Sequence, residues 1–276
     1  MSQALQNISF FSQTGRRVVS RPYRVFNVEE LTYYFIQNNS FDLGDILLNF
    51  HEAGIGENIN LSKFRDTLDL VARRFSGSSA FGNLFRGVHV PFIVPALDRA
   101  KTDVSFNTVQ RFLPKLERSF KKRYADSHFK AIVQGASELD GNLVIDDRSR
   151  YNELFDEASQ SDLIGWYFPQ ALQQFDTDSQ VRQIDELPSE RGVCVSGPME
   201  ILAANIGKPD LLINENGYAP ILTMPSVRHI DEKLILALKS YGPHLEFWCL
   251  SNELSRNLKQ VSEQWSGGIS LYVACG

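Results

Sequence analysis

The sequence predicts an α+β protein, with a helical N-terminal region packed on, or loosely joined to, a mainly antiparallel sheet with flanking helices. Three observations predict it. Leu234–Leu238 is a continuous apolar run, Tyr241-Gly242-Pro243 is a turn signal, and Leu245, Phe247 and Cys249 fall on one side of a second strand, so the segment reads as a buried hairpin. Leu61, Phe64, Leu68, Val71 and Phe75 recur at helical spacing, with Lys63, Arg65, Asp66, Asp69 and Arg73 elsewhere around the helix. Helices come first and strands mix with helices afterwards, whereas a doubly wound parallel sheet alternates strictly.

The elements follow in order. Residues 1–26 are polar and irregular, an arm or an edge strand. Asn27 with Glu30 suggests a capping box opening a helix through Tyr33, Tyr34 and Phe35. A second helix is expected from Asp42 to Glu52, stopped at Gly54, and the helix of Leu61–Phe75 is the third. Ser76-Gly77-Ser78-Ser79 ends it and is the candidate linker, dividing a mainly helical region, 1–79, from an α+β sheet region, 80–276, unless the two form one continuous domain. Val88–Val94 reads as a strand, and Pro91, which cannot donate to a ladder, implies an edge strand or an early position in it. Asn107–Ala125 is helical in pattern, interrupted or restarted at Pro114. Phe129–Val133 and Leu143–Ile145 flank Asp140-Gly141, a dipeptide suited to a hairpin turn. Ser149 is placed to cap a short helix through Tyr151, Leu154 and Phe155, and Ser161 another that breaks at Pro169. Gly197-Pro198 with Glu200 starts a helix carrying Met199, Leu202 and Ile206, ended by Gly207 and Pro209. Tyr218–Met224 is a strand candidate. Leu254, Leu258, Val261 and Trp265 mark a last helix, closed by Gly267-Gly268, before a final strand at Ile269–Ala274.

With 276 residues, 43% hydrophobic and 22% charged, the chain has the composition of a soluble globular protein. A net charge of −5 argues against broad nonspecific nucleic-acid binding. Cys194, Cys249 and Cys275 are odd in number and form no C-x-x-C, which supports neither a disulfide framework nor a zinc knuckle and favours a reducing compartment. Met1–Phe10 lacks a basic region followed by an apolar core, so no signal peptide is expected, and no apolar run reaches the ~20 residues a membrane span needs. A cytoplasmic location follows as the expectation.

No motif in the chain carries a complete chemistry. Gly54-Ile55-Gly56 begins like a dinucleotide fingerprint but follows a helix and lacks the third glycine, and no phosphate-binding loop is present. Asp176–Gln180 imitates the start of a calcium loop, yet Val181 and Leu187 stand where a glycine and a bidentate glutamate are needed. Asp146-Asp147 with Asn152 or Glu153 has metal-binding side chains, which capping and turn formation explain as well. The five histidines form no i, i+4 pair, and no G-x-S-x-G elbow exists. Neither a metal nor a cofactor is expected. A nucleophilic site can be assembled from Cys194, His229 and Asp231, since a thiolate needs a base within reach; against it, Cys194 lies between Val193 and Val195, and Cys249 inside an apolar strand. Arg111, Lys115, Arg118 and Lys122 form a basic stripe beside the apolar line Val109, Leu113, Leu116, Phe120 and Tyr124. The stripe is either a solvated helix face or a site for an anion or an acidic partner.

Two segments resemble a known family. Val195–Leu202, ending in Lys208-Pro209-Asp210-Leu211-Leu212, resembles a short helix-and-proline segment of a bacterial family of uncharacterised proteins. The hairpin Leu234–Leu250, with Phe247-Trp248-Cys249 followed by Ser251-Asn252, resembles that family's next block, and Val90–Val94 its first strand. Glu246 stands where the family favours a glycine, and the chain extends beyond Asn252. The resemblance covers under half of the chain and implies no activity, so no functional residue is carried over. The reading that follows is a non-enzymatic interaction or regulatory protein whose partner is another protein or a second copy of itself. The alternatives are an enzyme of unrecognised type, with a pocket between the helical region and the sheet, and a basic-patch binder of nucleic acid or an acidic partner.

Overall fold

The computed structural model describes residues 10–18, 34–37, 40–98, 103–133, 139–173, 175–214, 217–231, 234–251 and 264–275. Its centre is an eight-stranded, mainly antiparallel sheet, and the class is α+β. The helix anticipated from Asn27 lies outside the described residues, except that Tyr34 is extended and bridges Tyr218. The segment 252–263, with Leu254, Leu258 and Val261, lies outside them as well.

Helix α1, Leu43–Glu52, is capped by Asp42, whose carboxylate accepts from the N–H groups of Gly44 and Asp45. Helix α2, Leu61–Ser76, is capped by Asn60 and buries Phe64, Leu68, Val71 and Phe75, the stripe read from the sequence. Strand β1, Val90–Val94, is an edge strand, one of the two placements implied by Pro91, and pairs antiparallel with β4, Leu163–Gln173. The next helix has three parts: α3, Val104–Phe106, a π-helical stretch, Asn107–Phe112, and α4, Leu113–Arg123. The wider stretch ends just before Pro114, whose ring excludes an ordinary i−4 hydrogen bond.

Strand β4 corrects the helix expected from Ser161. All eleven residues are buried, and burial on both faces removes the alternation by which a strand is recognised. Pro169 is tolerated because β4 bulges there. Strand β10, Trp265–Ala274, pairs Ile269 with Phe168 and Gly267 with Leu172, leaving Pro169 without a ladder partner. Strand β10 also takes in Trp265 and Gly267-Gly268, which were expected to finish a helix. The hairpin around Asp140-Gly141 is a second correction. Gly141 does adopt a positive φ of 73°. The flanking strands part company, however: β2, Phe129–Val133, lies parallel to β9, His244–Ser251, while β3, Leu143–Ile145, pairs with β7, Val227–His229, in a separate two-stranded ribbon.

Helix α5, Tyr151–Ala158, follows a short 3₁₀ turn, Asp147–Ser149. Arg150, at φ 58°, is the cap residue, and Ser149 Oγ accepts from the Tyr151 N–H at 3.2 Å. Helix α6, Thr177–Arg182, is capped by Asp176, which accounts for the calcium-like spelling there. Strand β5, Val193–Val195, pairs with β10, and helix α7, Pro198–Gly207, has every residue buried. Strand β6, Ile221–Thr223, joins β10 to β8, Leu234–Tyr241, which makes the β8–β9 hairpin internal to the sheet, as expected. Trp166 on β4 donates to Leu68 O of α2 at 3.1 Å, while Tyr167, on the opposite face, lies near Glu200 of α7. Helices therefore cover both faces of β4. Helices α1 and α2 share one apolar core with the strands.

Candidate functional site

Two open clefts, each of about 560 Å³, mark the surface. The first runs between α1, the end of α4 and Gly207–Asp210, and receives part of the basic stripe, Arg118 and Lys122. Most of the stripe is already occupied. Arg111 donates to Ala96 O at 3.1 Å, Lys115 donates to the carbonyls of Ala53 and Gly54 beyond the end of α1, and Lys122 pairs with Glu52 at 2.5 Å. These cations tie α4 to α1, and the π-helical stretch before it to the loop after β1. Burial lowers the pKa of both Arg111 and Lys115; neighbouring Arg111 and Arg118 lower Lys115 further.

The second cleft lies between the turn at residues 146–148, α6, the β6–β7 connection and the start of β8. Val181, Met224, Val227 and Leu234 form its floor, and Arg148, Arg182 and Arg228 stand at its rim. Local rules set these positions. Asp146 caps the 3₁₀ turn and binds Arg148 through both carboxylate oxygens, Nε–Oδ1 at 3.0 Å and Nη2–Oδ2 at 2.6 Å. Burial would raise the Asp146 carboxyl, but hydrogen bonds from Arg148 and the charges of Arg148 and Arg228 hold it below the usual carboxylate range. Asp147 accepts from Asn152 Nδ2 at 3.1 Å, so the Asp-Asp pair serves the turn. Asp178 and Asp185 act electrostatically on Arg148. On β7, alternation buries Val227 and His229 and turns Arg228 outward. Arg182, in the last turn of α6, is exposed and has no carboxylate within ion-pair distance among the described residues.

A buried polar cluster is connected to this cleft through Asp146, Ser149 and Tyr151. Glu200, in the first turn of α7, accepts from the Gly197 N–H at 2.7 Å, Tyr151 Oη at 2.8 Å and Ser270 Oγ at 3.3 Å. Burial pushes its carboxyl up to about 7, against the opposing effect of those donors. Gly197 is required there, because a Cβ would stand 2.5 Å from the Tyr151 ring. The hydroxyls of Tyr167 and Tyr272 are buried nearby without hydrogen-bond partners among the described residues, and burial raises both.

The proposed nucleophilic trio is not assembled by hydrogen bonds. Cys194 is buried in β5, opposite Ser270, and burial, with the charges of Glu200 and Glu153, holds its thiol well above the usual range. His229 is buried in β7, where Nδ1 accepts from the Asp231 N–H at 2.9 Å, and no hydrogen bond joins it to Cys194. The thiol that feels Asp231 is that of Cys249, pushed up to about 11, mainly by burial. Among the described residues, no group of three or more His, Cys, Asp or Glu side chains could hold a metal ion, and no helix is long and apolar enough to cross a membrane.

Sequence reasoning missed the arginine rim, because Arg148, Arg182 and Arg228 come from three separate segments. The available signal was the single charge within Val227-Arg228-His229, which alternation points to solvent. No protein-family model, curated protein or solved structure matches the chain.

Proposed function

We propose that this is a non-enzymatic interaction or regulatory protein of the cytoplasm, and that the arginine-rimmed cleft receives an anionic group, a carboxylate or a phosphate, presented by a protein partner. The observation that carries the reading is Arg182. Its side chain is exposed in the lining of a cleft that also holds Arg228 and the apolar Val181, Met224, Val227 and Leu234, with no carboxylate within ion-pair distance among the described residues. Guanidinium groups favour planar or tetrahedral oxyanions because their fork donates two parallel hydrogen bonds. Of the acids in the lining, Asp146 is bound to Arg148 and Asp147 accepts from Asn152. The volume falls within the range of ligand pockets. The basic stripe on α4 is the weaker site, since Arg111, Lys115 and Lys122 already hold backbone carbonyls or Glu52.

Calorimetric titration with sulfate, a fixed-charge stand-in for the partner's anion, tests this. Saturable binding is expected, weakened by added chloride and reduced about tenfold or more in Arg182→Gln or Arg228→Gln, a typical loss for one charge-assisted contact. Arg118→Gln should leave it unchanged. Absence of saturable binding, or its loss in Arg118→Gln alone, would overturn the reading.

A further inference from the structure

The cleft and the buried Glu200 are joined by a ring of residues linked through hydrogen bonds and, at Tyr151, Asp146, Ser226 and Val195-Ser196, through the chain itself. Glu200 Oε2 accepts from Tyr151 Oη at 2.8 Å, and the Tyr151 N–H donates to Ser149 Oγ at 3.2 Å. Ser149 Oγ donates to Asp146 O at 2.5 Å, and Asp146 grips Arg148 at the cleft rim. The Asp146 N–H donates to Ser226 O at 2.9 Å, in the connection that leads to Arg228, and Ser226 Oγ donates to Val195 O. Ser196, next in the chain, shares a 2.9 Å hydrogen bond with Ser270, which returns to Glu200 Oε1. The links lie in the buried interior except where Asp146 meets Arg148, so a change at one station acts on its neighbours rather than on water.

Resting on the anion-binding reading above, we propose that this ring couples the protonation state of Glu200 to anion affinity at the cleft. The hydrogen-bond inventory supplies the mechanism. Ionised Glu200 only accepts. Tyr151 Oη already accepts from the Met199 N–H at 3.2 Å, so it has no room for a second donor and keeps donating to Oε2. A proton added to the carboxyl therefore sits on Oε1 and is donated to Ser270 Oγ. Ser270 then turns its own hydroxyl hydrogen to Ser196, whose Oγ accepts it. The Ser196–Ser270 hydrogen bond reverses direction, and the buried negative charge disappears. Both changes act toward the cleft: the first through the Val195–Ser196 peptide, whose carbonyl accepts from Ser226 Oγ, the second through the field at the arginines. The groups facing Glu200 are Tyr151 from α5, Tyr167 from β4, Cys194 from β5, and Ser270 and Tyr272 from β10; Glu153 and Arg150 lie beyond Cys194. The tyrosines and the thiol stay protonated at neutral pH, since burial raises all of them, which leaves Glu200 as the group in this cluster that changes charge near neutrality. Anion binding is accordingly tighter on the acid side, and by reciprocity a bound anion favours the protonated carboxyl.

The test has two parts, both on the full chain. In the ligand-free protein, the Nε–Hε NMR signals of Arg148 and Arg228 should shift with pH at the same midpoint as the Glu200 carboxyl carbon. That response should vanish in Glu200→Gln and shrink in Tyr151→Phe. Sulfate, whose charge is constant over the range, should bind about fivefold tighter at pH 6 than at pH 8 in the unmodified protein, and equally at both in Glu200→Gln. If sulfate binds with the same pH profile in Glu200→Gln, the dependence does not come from Glu200, and the coupling is wrong while the cleft remains an anion site. Arginine signals that stay fixed while the carboxyl titrates refute the coupling too. If sulfate binds at no pH, the anion site and its regulation both fall.

Discussion

At the scale of single residues, Glu200 sets an unusual pH dependence of stability. Its carboxyl is pushed from an ordinary 4.5 up to about 7 in the folded chain. The folded state therefore binds this proton more readily than the unfolded one. The resulting stabilisation is present in full below about pH 4.5 and is lost as pH rises through about 7. The shift corresponds to at most about 3 kcal/mol. Urea unfolding of the unmodified protein and of Glu200→Gln at pH 5 and pH 8 measures it. The unmodified protein should lose up to that amount relative to the variant on going to pH 8, and parallel profiles would show that Glu200 does not titrate in this window. The cysteines provide a second check. Cys194 and Cys249 are buried with raised thiols, and Cys275 is half-buried with a smaller rise. A thiol reagent under native conditions should label Cys275 first, and the other two only as fast as the protein opens. Fast, selective labelling of Cys194 would revive the nucleophilic reading.

At the scale of elements, legibility followed chemistry that is local in sequence. Helices α1, α2 and α7 were readable because caps and periodic apolar positions sit within one turn of each other: Asp42, Asn60 and Gly197-Pro198 mark starts, and Phe64, Leu68 and Val71 mark a face. The β8–β9 hairpin was readable from its alternation and turn. Strand β4 was not, because burial on both faces erases alternation and its proline is excused only by a bulge set by β10, about 100 residues away. Strands β2 and β3 misled for a similar reason: Asp140-Gly141 does turn, but its flanks find partners in β9 and β7. The candidate site was less legible still, since its arginines meet only through tertiary structure. The tight seat of α7 supplies a test at this scale. Gly197→Ala places a Cβ against the Tyr151 ring and should destabilise by about 1–3 kcal/mol, the usual cost of overpacking a core. The solvated pair Lys122–Glu52 contrasts with it: Lys122→Ala should cost under about 1 kcal/mol. A Gly197→Ala protein as stable as the unmodified one in urea would show that α7 can shift away from α5, and would weaken the hydrogen-bond ring drawn through Tyr151.

At the scale of the whole molecule, a mixed sheet with helices over both faces of β4 connects a buried polar cluster around Glu200 to an open, arginine-edged cleft. Formal charge alone would have directed attention to the stripe on α4. The fold spends those cations on internal contacts, while Arg182 has no carboxylate within ion-pair distance among the described residues. The central claim, that the cleft takes an anion, is tested most directly by diffraction from crystals soaked in selenate, a tetrahedral dianion whose position anomalous scattering reveals. The account predicts a selenium peak between Arg182 and Arg228, absent in crystals of Arg182→Gln. Selenate seated instead among Arg118, Lys122 and Lys208, with the arginine-rimmed cleft empty, would contradict it.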